Sequence, residues 1–143
     1  MSVIHVKSPR EYNKLKKEGL VIVDFNTEWC GPCRRFAPVY EKMASDYPDV
    51  TFLSVDAEQI EHNDCLEIKS VPTFKIFLNG ELRRQFEGVD AEKIERYIER
   101  YSIQVLINGK LIRKFTPETI DKVTRYLKMF SYNEDNTKHN SNN

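Results

Sequence analysis

The pentapeptide Trp29-Cys30-Gly31-Pro32-Cys33 decides the fold prediction for this chain. It follows the nearly continuous apolar run Leu20-Val-Ile-Val-Asp-Phe25, which is typical of a strand buried on both faces. A helical pattern follows the second cysteine, with apolar side chains at Phe36, Val39, Tyr40 and Met43. The two cysteines are therefore predicted to lie where a buried strand passes into a helix.

Two cysteines at such a junction have the properties of a redox-active dithiol. Unpaired backbone N–H groups and the positive end of the helix dipole favour the thiolate and lower the pKa of the first cysteine, so Cys30 is the predicted nucleophile. Cys33, one turn into the helix, is predicted to be more buried and to act as the resolving thiol. Gly31 and Pro32 set the turn between them, and Pro32 also stiffens it.

Half of a structural zinc site is the alternative interpretation of the cysteine pair. Such a site needs four ligands, and the other cysteine and the histidines of the chain are Cys65, His5, His62 and His139. No second pair of cysteines has the same spacing. We therefore favour the dithiol and predict neither a metal nor another cofactor.

The remaining patterns predict an α/β sandwich with a mixed sheet. Further strands are predicted at Val3–Val6, Thr51–Val55, Thr73–Leu78 and Leu82–Phe86. The last two flank Asn79-Gly80, a strong hairpin signal. A helix is predicted to start at Ser8-Pro9-Arg10-Glu11, and an amphipathic helix is predicted to end at Tyr101.

The pentapeptide, Val23-Asp24-Phe25, Pro38 and Val71-Pro72-Thr73 together resemble the thioredoxin family. The resemblance covers about Met1 to Tyr101. It implies the thioredoxin fold, with a central mixed sheet flanked by helices. It also implies protein-disulfide reduction by dithiol–disulfide exchange, with disulfide-containing proteins and thioredoxin reductase as partners.

The resemblance gives Asp24 a role in the exchange. A lone acid in a buried strand is costly unless it has a use. In the family the matching acid lies behind the second cysteine and helps to move its proton, and burial should raise its pKa. The alternative is a structural aspartate held by hydrogen bonds.

The resemblance also implies a substrate groove around the cysteines. Val71-Pro72 matches the loop with a cis peptide bond, which would bring the Val71 backbone close to Cys30, whereas an ordinary trans proline is the alternative. Trp29 matches the aromatic residue beside the nucleophile, and Gly88 matches the glycine that borders the groove. The predicted substrate-binding residues are Trp29, Gly31, Pro32, Val71, Pro72 and Gly88.

Two positions depart from the family pattern. The family usually has an aromatic residue at the position of Asn26, and it often has a lysine at that of Ser54, near the buried acid. Without that lysine, Asp24 lacks a stabilising positive neighbour. We therefore expect its pKa to be raised further than in a lysine-containing relative, and Ser54→Lys to lower it.

A segment after the predicted domain repeats its last part. Asn79-Gly80 recurs as Asn108-Gly109, and Leu82, Arg84, Phe86, Lys93, Arg96 and Tyr97 recur at the same spacing as Leu111, Arg113, Phe115, Lys122, Arg125 and Tyr126. We predict a thioredoxin domain at residues 1–101, an additional β-hairpin plus helix at residues 102–130 that resembles residues 74–101, and a disordered polar tail at residues 131–143. The repeat could also reflect the general likeness of hairpins and helices.

Three roles for residues 102–130 follow from an apolar stripe on the predicted second helix. The segment packs on the thioredoxin domain, it forms a homodimer, or its basic residues Lys122, Arg125 and Lys128 dock an acidic partner or a membrane surface. The basic residues could equally form an ordinary solvated face. Loss of stability or of a dimer on truncation after Tyr101 would distinguish packing from docking.

Composition limits the remaining classes of function. Lys plus Arg and Asp plus Glu each total 22, so the overall charge predicts no nucleic-acid partner. Three cysteines cannot all pair, no secretory signal is recognisable and no apolar segment is long enough to cross a bilayer, so we expect a cytoplasmic protein without membrane insertion.

Two functions remain at this point. The first is a protein-disulfide reductase, and the alternative is a binding protein whose redox state and C-terminal extension control a partner. Cys65 matches no site position and is interpreted as a half-buried helix residue or as a regulatory or intermolecular thiol.

Overall fold

The computed structural model describes residues 2–107, with side chains through residue 102. Five strands form one sheet: β1 (Ile4–His5), β2 (Leu20–Asn26), β3 (Thr51–Asp56), β4 (Thr73–Leu78) and β5 (Glu81–Glu87). Four helices accompany them: α1 (Pro9–Leu15), α2 (Gly31–Asp46), α3 (Asn63–Leu66) and α4 (Ala91–Ile107). This arrangement confirms the predicted thioredoxin fold with a mixed sheet flanked by helices.

The strand order is β1-β3-β2-β4-β5, so β2 lies at the centre of the sheet. β3 runs parallel to both β1 and β2, whereas β4 pairs antiparallel with β2 and β5. All residues from Leu20 to Phe25 are buried. The apolar run before the cysteines is therefore the central strand, as the sequence predicts.

The two faces of the sheet carry separate cores. Leu20 and Ile22 of β2 pack in one core with side chains from α2 and α4. Val21, Val23 and Phe25 point to the other face, where the core includes residues of α1 and α3. Asp24 has the parity of the first core, so it lies on the face that α2 covers.

Local signals place the ends of several elements correctly. The Ser8 hydroxyl caps α1 by accepting a hydrogen bond from the backbone N–H of Glu11 at 3.1 Å. Asn79 and Gly80 both have positive φ, 53° and 85°, which is the geometry of the tight hairpin turn predicted between β4 and β5. The helix α2 continues through Pro38 to Asp46.

The end of α4 differs from the prediction. The helix continues through Ile107, whereas the repeat predicts that residues 103–107 form the first strand of the C-terminal hairpin. Each residue added to an existing helix gains a hydrogen bond, and Ile103-Gln-Val-Leu-Ile107 contains neither glycine nor proline to end it. The rest of the predicted hairpin-plus-helix unit and the polar tail lie outside the described residues.

Candidate active site

The cysteine pair lies at the start of α2, directly beyond the central strand. Cys30 is the N-cap residue of α2, with Gly31 and Pro32 in its first turn. Cys30 and Cys33 are joined by a disulfide bond. The backbone N–H of Cys33 donates to Sγ of Cys30 at 3.2 Å. This donor and the helix dipole both stabilise negative charge on the Cys30 sulfur once the disulfide is reduced.

Burial does not distinguish the two cysteines in the predicted way. Cys30 is 3% exposed and Cys33 is 6% exposed, so the prediction that Cys33 is the more buried residue is wrong. Cys33 lines a cavity behind the disulfide, whereas the Cys30 sulfur turns back onto the backbone that it caps. The distinction between the two sulfurs therefore rests on the hydrogen bond to Cys30 rather than on exposure.

Asp24 occupies β2 behind the cysteine pair and is only 3% exposed. Its Oδ1 atom is buried and has no hydrogen-bond partner among the described residues. Burial raises the pKa of Asp24 to about 7, and the nearby Asn26 amide offsets part of this increase. The pKa of this carboxyl group is thus raised by burial, as the sequence predicts.

The two unusual residues of the site contact each other. Nδ2 of Asn26 donates to Oγ of Ser54 at 2.8 Å and more weakly to the backbone oxygen of Asp24 at 3.3 Å. Ser54 lies beside Asp24 in the register of β2 and β3. Neither side chain supplies a positive charge. The effect of a lysine at position 54, which should lower the pKa of Asp24, stays a prediction.

A cavity of about 260 Å³ connects this region to the surface. Asp24 and Cys33 both line it, together with Val3, His5, Asn26, Thr27, Arg34, Ala37, Tyr40, Glu41 and Ser54. The Tyr40 hydroxyl faces two backbone oxygens, of Leu53 at 2.8 Å and of Ile22 at 3.0 Å. Because the Tyr40 hydroxyl is hydrogen-bonded to the backbone, it does not bond to the Asp24 carboxyl group, which remains open to the cavity.

Of the predicted groove residues, Gly31 and Pro32 begin α2, whereas the other four lie outside the helices and strands. Trp29 is 65% exposed, and its Nε1–H donates to Oε1 of Glu58 at 2.8 Å. The Val71–Pro72 peptide bond is cis, as the family resemblance implies. The backbone N–H of Gly88, a residue with a φ of 86°, donates to the Pro72 oxygen at 2.9 Å. This bond fixes the cis loop against the end of β5.

Gly31 is half-buried and Pro32 is exposed, so the middle of the pentapeptide is accessible from outside. Pro72 is buried whereas Val71 before it is half-buried. The predicted approach of the Val71 backbone to Cys30 stays a prediction.

Comparisons with known proteins agree with this geometry. Residues 3–100 match the family model described as Thioredoxin. A relative named Thioredoxin-3 from Dictyostelium discoideum is 40% identical over 98 residues, which are 68% of this chain and 94% of that protein. The chain belongs to the thioredoxin family. A mouse thioredoxin is 38% identical over 85 residues, covering 58% of this chain and 80% of the relative.

Solved thioredoxin structures share the fold. The thioredoxin of Plasmodium falciparum superposes with a TM-score of 0.63 at 37% identity and covers 68% of this chain and 98% of its own. The thioredoxin of Schistosoma mansoni superposes with a TM-score of 0.64 at 32% identity. The match covers 70% of this chain and 95% of the Schistosoma mansoni chain. With the Cys30–Cys33 pair in the family position, the chain is a thiol–disulfide oxidoreductase that reduces disulfides by dithiol–disulfide exchange. The alternative of a redox-controlled binding protein is not favoured.

Two further observations concern metals and membranes. Among residues 2–107, no three His, Cys, Asp or Glu side chains are arranged to hold a metal ion. No helix in that part of the chain is long and apolar enough to cross a membrane.

Sequence reasoning missed several residues of the site. Sequence reasoning did not predict Glu58, which accepts a hydrogen bond from the Trp29 indole. It also did not predict the cavity-lining residues His5, Arg34 and Glu41. A usable signal existed for His5. In neighbouring parallel strands, residues in register point to the same face, so a correct alignment of β1 on β3 would have placed His5 beside Ser54.

Cys65 lies on the other face of the sheet, in α3, and is buried. Burial and the nearby Asp64 carboxylate raise the pKa of the Cys65 thiol to about 11. Asp64 itself accepts hydrogen bonds from the Tyr12 hydroxyl at 2.6 Å and from Nζ of Lys16 at 3.3 Å. The thiol therefore lies beside an anchored negative charge, in an environment that disfavours the reactive thiolate.

We expect Cys65 to react slowly in the folded, reduced protein. A thiol with a pKa of about 11 has roughly a hundredfold less thiolate at neutral pH than one with the ordinary value of 9.0. Timed iodoacetamide labelling followed by peptide mass analysis should show Cys65 modified at least about a hundredfold more slowly than in denaturant. Equal rates in the two conditions would contradict this expectation and favour a regulatory thiol.

Proposed function

We propose that Cys30 makes the first attack in the exchange and that Cys33 resolves it. The Cys30 thiolate attacks a substrate disulfide, forming a mixed disulfide and releasing one substrate thiolate. Cys33 then attacks the Cys30 sulfur, forming the Cys30–Cys33 disulfide and releasing the second substrate thiolate. The hydrogen bond from the Cys33 amide to the Cys30 sulfur carries this assignment, because it stabilises the thiolate of Cys30 specifically.

Asp24 is the proposed acceptor of the proton that Cys33 loses in the second attack. Both residues line the same cavity, so water in the cavity can carry a proton between them. The carboxyl group has a pKa of about 7, which suits reversible proton transfer near neutral pH. Its buried Oδ1 has no competing partner among the described residues.

Six residues, of which Pro72 is buried and the others are exposed or half-buried, form the proposed substrate groove. Trp29, Gly31, Pro32, Val71, Pro72 and Gly88 would contact an extended segment of the substrate. The half-buried Val71 is the proposed backbone partner, because a main-chain pairing accepts many sequences. This groove would suit a reductase of many disulfide-containing proteins.

The partner that restores the dithiol is proposed by family resemblance to be a thioredoxin reductase. The net requirement is two electrons and two protons, delivered to the Cys30–Cys33 disulfide. A reducing compartment such as the cytoplasm is the proposed location, since the chain has one cysteine more than the disulfide uses. A homodimer through residues 102–130 remains an independent proposal, supported only by the sequence.

Trapping with Cys33→Ser tests the order of the two thiols. This variant should accumulate a mixed disulfide between Cys30 and a substrate protein such as insulin, because serine cannot resolve it. Cys30→Ser is the matched control and should accumulate at least about tenfold less adduct, since its remaining thiol lacks the stabilising amide. Equal trapping by the two variants, measured by intact mass, would refute the proposed order.

A further inference from the structure

A row of three polar side chains crosses the sheet from Asp24 to its edge. Asp24 pairs in register with Ser54 of β3, and Ser54 pairs in register with His5 of β1. Both pairings are parallel, so the three side chains point to the same face. Neighbouring strands are about 4.8 Å apart, and the row therefore spans about 10 Å.

Exposure increases steadily along this row. Asp24 is 3% exposed, Ser54 is half-buried and His5, on the edge strand, is exposed. All three line the cavity of about 260 Å³ that also contains Cys33. The row thus joins the interior behind the disulfide to the solvent.

The interior of the cavity is suited to water. Oδ1 of Asp24 and Oγ1 of Thr27 are both buried without a hydrogen-bond partner among the described residues, and both residues line the cavity. Ser54 Oγ accepts the amide hydrogen of Asn26, so its own hydroxyl hydrogen can be donated within the cavity. A space of this volume holds several water molecules, and these three polar groups can bind them.

We infer that the row Asp24–Ser54–His5 is the route by which the proton on Asp24 exchanges with solvent, and that His5 is the outer positioning residue of that route. The inference rests on the proposed function, in which Asp24 takes the proton that Cys33 loses. That proton leaves the carboxyl group, passes through water beside Ser54 and reaches the His5 imidazole. The imidazole binds it at one ring nitrogen and releases one to solvent from the other, so no net charge accumulates.

Other charged groups around the cavity fit this role less well. From α2, the residues Cys33, Arg34, Tyr40 and Glu41 line the cavity that Asp24 also lines. A guanidinium does not give up its proton near neutral pH. Glu41 already accepts a hydrogen bond from the backbone N–H of Val3 at 3.1 Å, so one of its carboxylate oxygens is engaged. His5 is the histidine of the cavity lining and lies in register with Ser54.

The rate of Asp24 ionisation after a pH jump tests the inference in the oxidised full-length protein. The infrared carbonyl band of the protonated Asp24 reports this rate and is assigned by its absence in Asp24→Asn. In a weakly buffered solution, His5→Gln should slow the relaxation about tenfold. This decrease is smaller than the one expected when a group that acts directly on the substrate is removed. Added imidazole should restore the rate, whereas the equilibrium midpoint of the titration should stay close to that of the wild type.

Matched variants separate a proton route from a structural effect. Ile4→Gln makes the same new side chain on the neighbouring residue of β1, which points to the opposite face, and should relax at the wild-type rate. Ser54→Ala should slow the relaxation without rescue by imidazole, because the interruption is internal. An unchanged rate in His5→Gln, or slowing that imidazole fails to restore, would overturn the inference, as would equal slowing in Ile4→Gln.

This experiment measures exchange between Asp24 and solvent without a substrate. It therefore separates the inference from the role of Asp24 in catalysis. If Asp24→Asn reduced disulfides at the wild-type rate, the proposed function of Asp24 would fail while the pH-jump result would still stand. If only the pH-jump result were negative, the catalytic role would stand and the route through His5 would fail.

Discussion

Cys30→Ser should lower the rate of insulin-disulfide reduction, with dithiothreitol as the electron source, by at least about a thousandfold. A serine hydroxyl is a much weaker nucleophile than a thiolate and cannot form the mixed disulfide. The donor from the Cys33 amide and the dipole of α2 stabilise a thiolate but do not ionise an alcohol. The measurement is the turbidity of insulin chains, started at equal concentrations of folded protein.

Cys65→Ser is the matched control for this loss, because it removes a thiol from the other face of the sheet. It should keep the wild-type rate, since Cys65 does not line the cavity beside the disulfide. Near-ultraviolet circular dichroism should show that both variants fold. Residual turnover above a few per cent in Cys30→Ser would mean that Cys33 can attack substrate directly.

Local sequence signals predicted the features of the fold that a few neighbouring residues determine. The apolar run before Cys30 can be buried on both faces only at the centre of the sheet. The Asn79-Gly80 pair fits the positive φ angles of its turn. The cis bond at Pro72 came from family resemblance, since no local pattern specifies it. These features need no knowledge of how distant strands align.

Features that depend on long-range packing were not predicted correctly or at all. The similar burial of Cys30 and Cys33 could not be predicted, because burial depends on how distant parts of the chain pack around each sulfur. His5 joins that cavity only through the register of a two-residue strand. The repeat predicts a strand at residues 103–107, but α4 continues through them. Extending an existing helix is favourable, and the repeat is too weak a pattern to indicate where the helix ends.

Asp24→Asn should have two effects of opposite sign, on catalysis and on stability. The variant should slow the resolving step about a hundredfold, because an amide cannot accept the Cys33 proton. In the wild type this step should accelerate as the pH rises through about 7, where Asp24 becomes ionised, and the variant should lack that inflection. Stopped-flow reaction with a chromogenic disulfide, which releases one coloured thiolate per step, separates the two attacks.

The stability effect follows from the same raised pKa. Between the unfolded value of about 3.9 and the folded value of about 7, the folded protein retains a proton that the unfolded chain releases, so stability falls as pH rises through this window. Between about pH 4 and about pH 9, the oxidised wild type should therefore lose about 4 kcal/mol relative to Asp24→Asn. Urea unfolding of both oxidised proteins measures this difference.

Ser54→Lys should reduce this pH-dependent loss of stability, because a cation beside the carboxylate lowers the pKa of Asp24. Gln85→Lys adds the same charge on the exposed edge strand β5 and serves as its control. If both lysine variants behaved like the wild type, the identity of residue 54 would not control the acid. A wild-type stability that did not fall relative to Asp24→Asn would show that burial leaves the carboxylate well solvated. A buried carboxyl group that weakens the fold at neutral pH is a candidate for a functional role, and the proposed proton transfer from Cys33 would account for Asp24.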